Sequence, residues 1–394
     1  MARVKVTVVT HAYLAEENRK KLALLGREAE VEVVSPDRAR TPLFRYRIEP
    51  PVIQQDGYII RFFRPLPERG IPARYVLWSR DLGLRRFRPD AVHVEGEPWT
   101  LVAQQALWCA RRHVPRAAVV CTVRQHTYTA YGALTGLKDW LARRAIARVD
   151  RFLAGNTGSR QVLLQRFGVP PGKIELNPQL GVDTDHFRPA TPEERRERRR
   201  RWGLSDEVVV VGYCGRLVEE KGLLDLCQAV QAAQRRPGAR LQLALLGDGP
   251  LRPRLEAVAG ENVVLHRVVP HGEVASFLQA LDIFVLPTVA ISDKRSTLEL
   301  DAHALQEAMA CGVASIGTES GPIPEILSGA GVLVPPSAPA ALSEAIVQLL
   351  DADKRRHWGD AGRQRVRERY SNQRVVEKQL ETYARAIEER RRRK

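Results

Sequence analysis

Cysteine is scarce in this chain and carries no pattern. Cys109, Cys121, Cys214, Cys227 and Cys311 form no CxxC pair and no zinc-type spacing, so reduced, mostly buried thiols are the expectation. Aromatic residues make up only 6% of the sequence, and neither a zinc-finger nor an RNP-like pattern occurs. Stacking platforms for bases are therefore not evident, and no specific nucleic acid is expected as a partner. Long apolar runs are missing too. Residues 207–212 and 241–246 are strand-sized, far short of the ~20 residues that cross a bilayer. The first nine residues read as a buried strand rather than a charged, apolar and cleavable leader, which points to the cytosol. No GxGxxG follows any predicted strand, which argues against a nicotinamide enzyme. Repeats of the solenoid type are also lacking, and low-complexity sequence is confined to arginine runs.

What is present is basic charge and an alternation of strand and helix signals. The 62 basic and 46 acidic residues leave a net charge of +16. Such a surplus attracts anionic partners of any kind and does not choose among nucleic acid, lipid headgroups and phosphorylated sugars. Much of it lies in residues 195–201 and 390–394, which read most simply as a solvated helix face and a frayed end. The 394 residues exceed what one core usually serves, so two domains are expected.

Short apolar strands alternate with helical patterns through both halves, which predicts an α/β protein with two parallel, doubly wound sheets. The expected strands fall near 3–9, 30–34, 91–94, 118–123, 151–154 and 173–176, then near 207–213, 241–246, 262–266, 283–286, 313–317 and 331–334. Two prolines in residues 186–193 mark a linker. The expected division is 1–190, 203–365 and a C-terminal helix with a basic tail, 366–394, packing back on the first domain. Two such domains facing one another enclose a cleft lined by the carboxyl ends of both sheets, where ligands bind by general rule.

The sharpest chemical feature runs from Gly212 to Gly222, after a strand and before a helix. Gly215 permits a tight turn, and Arg216 with Lys221 puts two cations beside a helix N-terminus. A diphosphate suits that place, because Arg grips it bidentately and Lys adds a point charge without a metal. The pair alone is equally an ordinary surface Arg and Lys beside a strand–helix turn. Glu299 and Glu307 add weight. Residues 302–310 read as a helix closed by Gly312, so the two carboxylates lie roughly 10 Å apart at ~1.5 Å per residue. That is the span from a sugar ring to a ribose across two phosphates.

In order and spacing, Gly215-Arg216 with Lys221-Gly222, Gly247 to Pro250, Asp282 to Pro287, Glu299 through Gly312 and Gly321 to Glu325 resemble the C-terminal domain of family 4 glycosyltransferases. The first half is similar through Glu95 to Trp99, residues 125–128 and residues 177–187. The resemblance implies the GT-B fold, two facing Rossmann-like domains with an interdomain cleft, and sugar transfer with retention of anomeric configuration. It implies a nucleotide diphosphate-sugar donor, UDP- or GDP-linked, with no further cofactor and no metal. Arg216 and Lys221 would hold the diphosphate, Glu307 the ribose and Glu299 the transferred sugar, with the departing phosphate oxygen taking the acceptor proton.

Where many relatives have small glycines and a phenylalanine after the first glutamate, this chain has Leu300, Asp301, Ala302 and His303. Those positions would touch the donor, with Asp301 or His303 tuning donor choice. The first strand leads into Thr10-His11-Ala12 instead of a double glycine. His126 stands where relatives often place a functional polar residue, and a structural histidine is an equal reading. His11 and His93 follow strands and read as local hydrogen-bonding residues. The expected acceptor is a glycan, a lipid-linked group or a small molecule, as in polysaccharide biosynthesis. Arg85, Arg86, Arg88, Arg111, Arg112, Arg143 and Arg144 could draw the protein to the inner membrane face or be ordinary solubilising charge. A nucleotide-sugar epimerase of the same fold and a basic nucleic-acid-binding protein are the rival readings.

Overall fold

The computed structural model describes residues 3–40, 45–47, 52–55, 57–67, 75–125, 135–258, 260, 262–289 and 302–393. The chain divides into two compact units, Met1–Gly181 with Asn372–Lys394, and Val182–Ser371.

In the first unit the main sheet is built from β1 (Val4–Val9), β2 (Ala29–Pro36), β3 (Val52–Gln55), β4 (Tyr58–Phe63), β5 (Ala91–Glu95), β6 (Ala118–Val123), β7 (Arg151–Ala154) and β8 (Ile174–Leu176), with two small antiparallel pairs apart from it. The main sheet has the order β8-β7-β6-β5-β1-β2-β4-β3. All pairs within it are parallel except β3 with β4. The central strands β5 and β6 are buried along their whole length. That is why β6 reads as a short, largely apolar run and β5 as one interrupted only by the buried His93 and Glu95. β3 and β4 are absent from the strands expected from sequence. β4 alternates buried and half-buried residues, so a period of two was present. Helix α1 (Arg19–Glu28) is preceded by two single tight turns at residues 12–14 and 16–18. Helix α2 (Leu101–His113) is capped by Thr100, whose hydroxyl accepts from the Ala103 amide, and α3 (Thr135–Ile146) precedes β7.

A buried polar network lies beneath this sheet. Lys21 and Glu95 pair at 3.1 Å with almost no exposure. Tyr13 donates to the same carboxylate, and Gln179 donates to its other oxygen. Lys21 also donates to the Gln179 carbonyl, so every partner is satisfied. Burial alone would push the Glu95 carboxyl up. Lys21, His93 and the hydrogen bonds from Gln179 and Lys21 outweigh it and hold the pKa at about 2. His93 on β5 is buried, bonded at 2.8 Å to the Tyr383 hydroxyl on one nitrogen and to Thr122 on the other. Tyr383 belongs to the C-terminal helix Asn372–Arg392, so this contact seats that helix on the sheet. The local hydrogen-bonding role read from sequence is what His93 performs.

The second unit contains β9 (Val209–Cys214), β10 (Leu241–Leu246), β11 (Val263–His266), β12 (Ile283–Leu286), β13 (Ala314–Thr318) and β14 (Val332–Val334). All are parallel, in the order β11-β10-β9-β12-β13-β14. The chain winds one way from β9 and the other way from β12, so the topological switch lies between these two neighbours.

The arginine run at 195–201 is a correction to the sequence reading. Residues Pro192–Arg201 form α4, started by Pro192 and a Thr191–Glu194 capping box, with acids in its first turn and arginines in its last. Its inner face is not solvated. Arg199 is buried, donates to the carbonyls of Ala280 and Ser205, and pairs with Asp282. Arg195 pairs with the same carboxylate, which also accepts from the Val210 amide at 2.8 Å. Asp282 thus locks α4 to the amino edge of the sheet. A helix with no apolar stripe can pack here because its buried charges are paired.

Burial drives the His93 pKa down to about 4, opposed by Glu95 and reinforced by Lys21. The folded ring stays neutral while an unfolded one protonates near 6.5, so its contribution is complete above pH 6.5 and drains away as pH falls toward 4. Unfolding free energies from urea titration should therefore fall between pH 7 and pH 4.5, by about 2 kcal/mol from this ring. His93→Gln should flatten that slope, and an unchanged slope would contradict the assignment.

Candidate functional site

The carboxyl edge of the second sheet is built by backbone contacts that admit no side chain. The loop after β9 lies across the loop after β10. Gly215 donates to the Leu246 carbonyl, Leu217 to Asp248, and Leu251 back to Leu217. At Gly247 a β-carbon would meet the Gly215 carbonyl oxygen at 1.9 Å, and φ is +154°. The Gly215 turn itself is glycine-dependent, with φ +152° and a β-carbon position 2.6 Å from the Tyr213 hydroxyl. That hydroxyl donates to the Arg216 carbonyl, fixing the residue that follows.

Arg216 is about one-third exposed and pairs with Glu220 one turn on, at 3.4 Å. Lys221 is nearly buried and ends the tight turn Glu219–Lys221, immediately before Gly222 and helix α5 (Leu223–Gln234). Gly222 takes φ +63° with the Pro287 carbonyl oxygen 2.1 Å from where a β-carbon would sit. The Val289 amide donates to Glu220. So the cation-bearing loop is stitched to the segment leaving β12, across the switch point.

Glu307 lies one turn inside α7 (His303–Ala310), the helix that returns from that segment; α6 (His271–Leu278) precedes it in the chain. Its carboxylate sits 2.8 Å from Nε2 of His271, the first residue of α6, whose ring packs edge-on against Phe187. Burial raises the Cys214 and Cys311 thiols, and the Glu307 charge raises both further. Cys214 is the last residue of β9, so Glu307 acts at the strand end from which Gly215 and Arg216 depart. Ala302 begins α7 at φ +47°, a left-handed conformation that favours glycine, and its methyl is buried. Gly312 follows the helix at φ +73°, its amide donating to Met309 and that of Val313 to Ala308. Two cations, a carboxylate and the starts of α5 and α7 thus share one sheet edge, chemistry suited to a phosphorylated diol.

Glu299, Leu300, Asp301 and His126 lie outside the described residues. Residues near His126 are nevertheless anchored, since Glu97 accepts from the amides of Arg124 and Gln125, both at 3.0 Å. His11 ends the first strand's loop, its pKa lowered to about 4 by desolvation and the Arg124 charge against an opposing pull from Glu95. His271 was not singled out by sequence reasoning, being a lone polar residue far along the chain from its partner, whereas Glu97 fell inside the quoted stretch Glu95 to Trp99 but was given no role of its own.

The comparisons with known proteins bear on this edge and on the whole chain. A family profile described as "Glycosyltransferase Family 4" matches residues 21–186, and one described as "Glycosyl transferases group 1" matches 208–352. An alpha-maltose-1-phosphate synthase of Mycolicibacterium smegmatis is 26% identical over 80% of this chain and 84% of its own length. A 2-deoxystreptamine N-acetyl-D-glucosaminyltransferase of Streptomyces fradiae is 30% identical over 77% of this chain and 72% of its own. The chain belongs to glycosyltransferase family 4. The solved structure of Anabaena Alr3699/HepE in complex with UDP superposes on the transferase with a TM-score of 0.68 at 15% identity, covering 97% of this chain and 99% of that one. The transferase therefore has the GT-B fold of two Rossmann-like domains and uses a nucleotide-sugar donor.

The edge makes a sharp prediction about glycine. Gly247→Ala should lose roughly 2–5 kcal/mol in chemical denaturation, combining backbone strain with a clash against a carbonyl. Gly238→Ala, at φ +78° but in open space, should lose only about 1–2 kcal/mol. Equal losses would show that the loop crossing is not the constraint.

Proposed function

We propose that the second unit binds a UDP- or GDP-linked sugar, that the first unit serves the acceptor, and that transfer retains the anomeric configuration without a metal. Arg216 and Lys221 hold the diphosphate, Glu307 the ribose diol and Glu299 the transferred sugar, while Leu300, Asp301 and Ala302 line the donor and His126 meets the reacting sugar. The acceptor hydroxyl attacks the anomeric carbon as the bond to the diphosphate breaks. The departing phosphate oxygen takes the hydroxyl proton on the same face, and the two cations stabilise its charge.

What carries the reading is the shared position of Arg216, Lys221 and Glu307 on the switch-point edge, with Glu307 close enough to Cys214 to shift its thiol. The UDP in the Anabaena structure and the sugar-transferring relatives support a nucleoside diphosphate-sugar donor and a hydroxyl-bearing acceptor. The free thiols of all five cysteines fit work in the reducing cytoplasm, and the arginine-rich first unit fits a place at the inner face of the membrane.

Calorimetry with UDP, GDP and ADP is the direct test. One nucleotide should bind clearly, and Lys221→Ala and Glu307→Ala should each weaken it by about 1.5–3 kcal/mol, the worth of a charge-assisted contact. Full affinity in both variants would defeat the assignment. After chelation with EDTA, proton NMR of the glycosylated product should show the donor's own anomer forming at an undiminished rate. An inverted product would remove retention, and a lost rate would remove metal independence.

A further inference from the structure

The outward faces of α2 and α3 in the first unit are apolar where a solvated helix would be polar. Trp108 on α2 and Trp140 on α3 are each about half exposed, and Leu101, Leu137 and Leu141 are exposed beside them. Leu101 and Trp108 are seven residues apart on one helix, and Leu137, Trp140 and Leu141 follow i, i+3, i+4 spacing on the other, so each set is a stripe. Gln104 of α2 donates to the Leu141 carbonyl of α3, which brings the stripes side by side. Gln105 bonds both backbone groups of Leu77, fixing Trp78 next to α2 with 72% of its surface exposed. Three of the chain's six tryptophans thus meet solvent around one helix pair. An apolar patch of this kind marks a contact surface.

The charge around it is mostly basic, with Asp81 and Asp139 the acids beside it. Arg111, Arg144 and Arg148 lie close enough that the first two, after burial, lower the pKa of the third. Among the described residues none of the three has an acidic partner within 4 Å. The Arg144 guanidinium lies 4.8 Å over the Trp140 ring, leaving its charge at the patch. α2 contains no Asp or Glu, and the one acid of α3, Asp139, is taken by Arg166. Of the other basic residues marked in the sequence, Arg86 is spent on Glu32. Beside the patch, Arg80, Arg85 and Arg112 line an open cavity of about 540 Å³ with Trp108 and His113.

We propose that the α2–α3 face docks on an anionic lipid bilayer, with Trp78, Trp108 and Trp140 entering the headgroup region and Arg111, Arg144 and Arg148 meeting the lipid phosphates. Tryptophan with leucine beside unpaired arginine is the pattern that an interface between water and hydrocarbon accepts at both ends. A second copy of this face fits poorly, because association would set the same unpaired arginines against each other. The proposal deepens the membrane part of the function given above. It does not rest on the donor assignment, since vesicle binding needs no nucleotide.

Co-sedimentation of the full chain with vesicles of phosphatidylcholine alone, and of phosphatidylcholine mixed with phosphatidylglycerol, tests it. Binding should occur on the mixed vesicles at low salt, weaken at high salt, and shift tryptophan emission to the blue with quenching by bromine-labelled lipid. The pairs Trp108→Ser with Trp140→Ser and Arg111→Gln with Arg144→Gln should each reduce affinity on the order of tenfold while circular dichroism stays unchanged. Absence of binding to mixed vesicles, or equal binding by both variants and the parent, overturns the proposal. So does a concentration-dependent dimer in light scattering that the tryptophan pair abolishes, because the face would then belong to a second protein copy.

Discussion

The second unit depends on one steric constraint, the close approach of backbone to backbone at the carboxyl edge of its sheet. The loop leaving β9 reaches the segment leaving β12 only because Gly222 presents no β-carbon to the Pro287 carbonyl. It crosses the loop leaving β10 only because Gly247 presents none to Gly215. A parallel sheet delivers all its strand ends to one edge, and the reversal of winding between β9 and β12 parts the following helices there. With the loops drawn together by these glycines, Arg216 and Lys221 are held by backbone geometry rather than by their own flexible stems. Under the proposed diphosphate role, charge placed in that way would cost little further ordering on binding.

Paired buried charges shape the rest. In the first unit Lys21, Glu95, Tyr13 and Gln179 satisfy one another, while His93 stays neutral between Thr122 and the C-terminal helix. In the second, Asp282 gathers Arg195 and Arg199 and so seats a helix that has no apolar face. Ion pairs this deep break only at a cost of several kcal/mol, which makes them specific about which helix docks where. The strongly basic composition therefore divides into arginines that are consumed inside and arginines that are left outward. Arg111, Arg144 and Arg148 are of the second kind.

Most strands and the helix over 302–310 were legible in the sequence because strands buried on both faces are short apolar runs and that helix is marked by its closing glycine. β3 escaped because a four-residue, mostly exposed edge strand gives a weak signal, whereas β4 lies inside the sheet and its alternation was present but not read. The arginine run was misread for a related reason. Periodicity reports apolar burial and is blind to a guanidinium buried against a carboxylate some eighty residues away, as Arg199 is against Asp282. Glu307 stood out by its spacing, whereas its partner His271 has no sequence pattern at all.

The order of residues by itself determined the two α/β halves, the family, and which glycines, cations and carboxylates are the candidates for the donor site, because these follow from local periodicity and short spacings along the chain. Tertiary structure alone decided that Glu307 reaches the end of β9, that His93 serves the C-terminal helix, and that two helices expose their tryptophans together. Each of those depends on segments distant in sequence meeting in space, and pairing between them leaves no trace in either segment read alone.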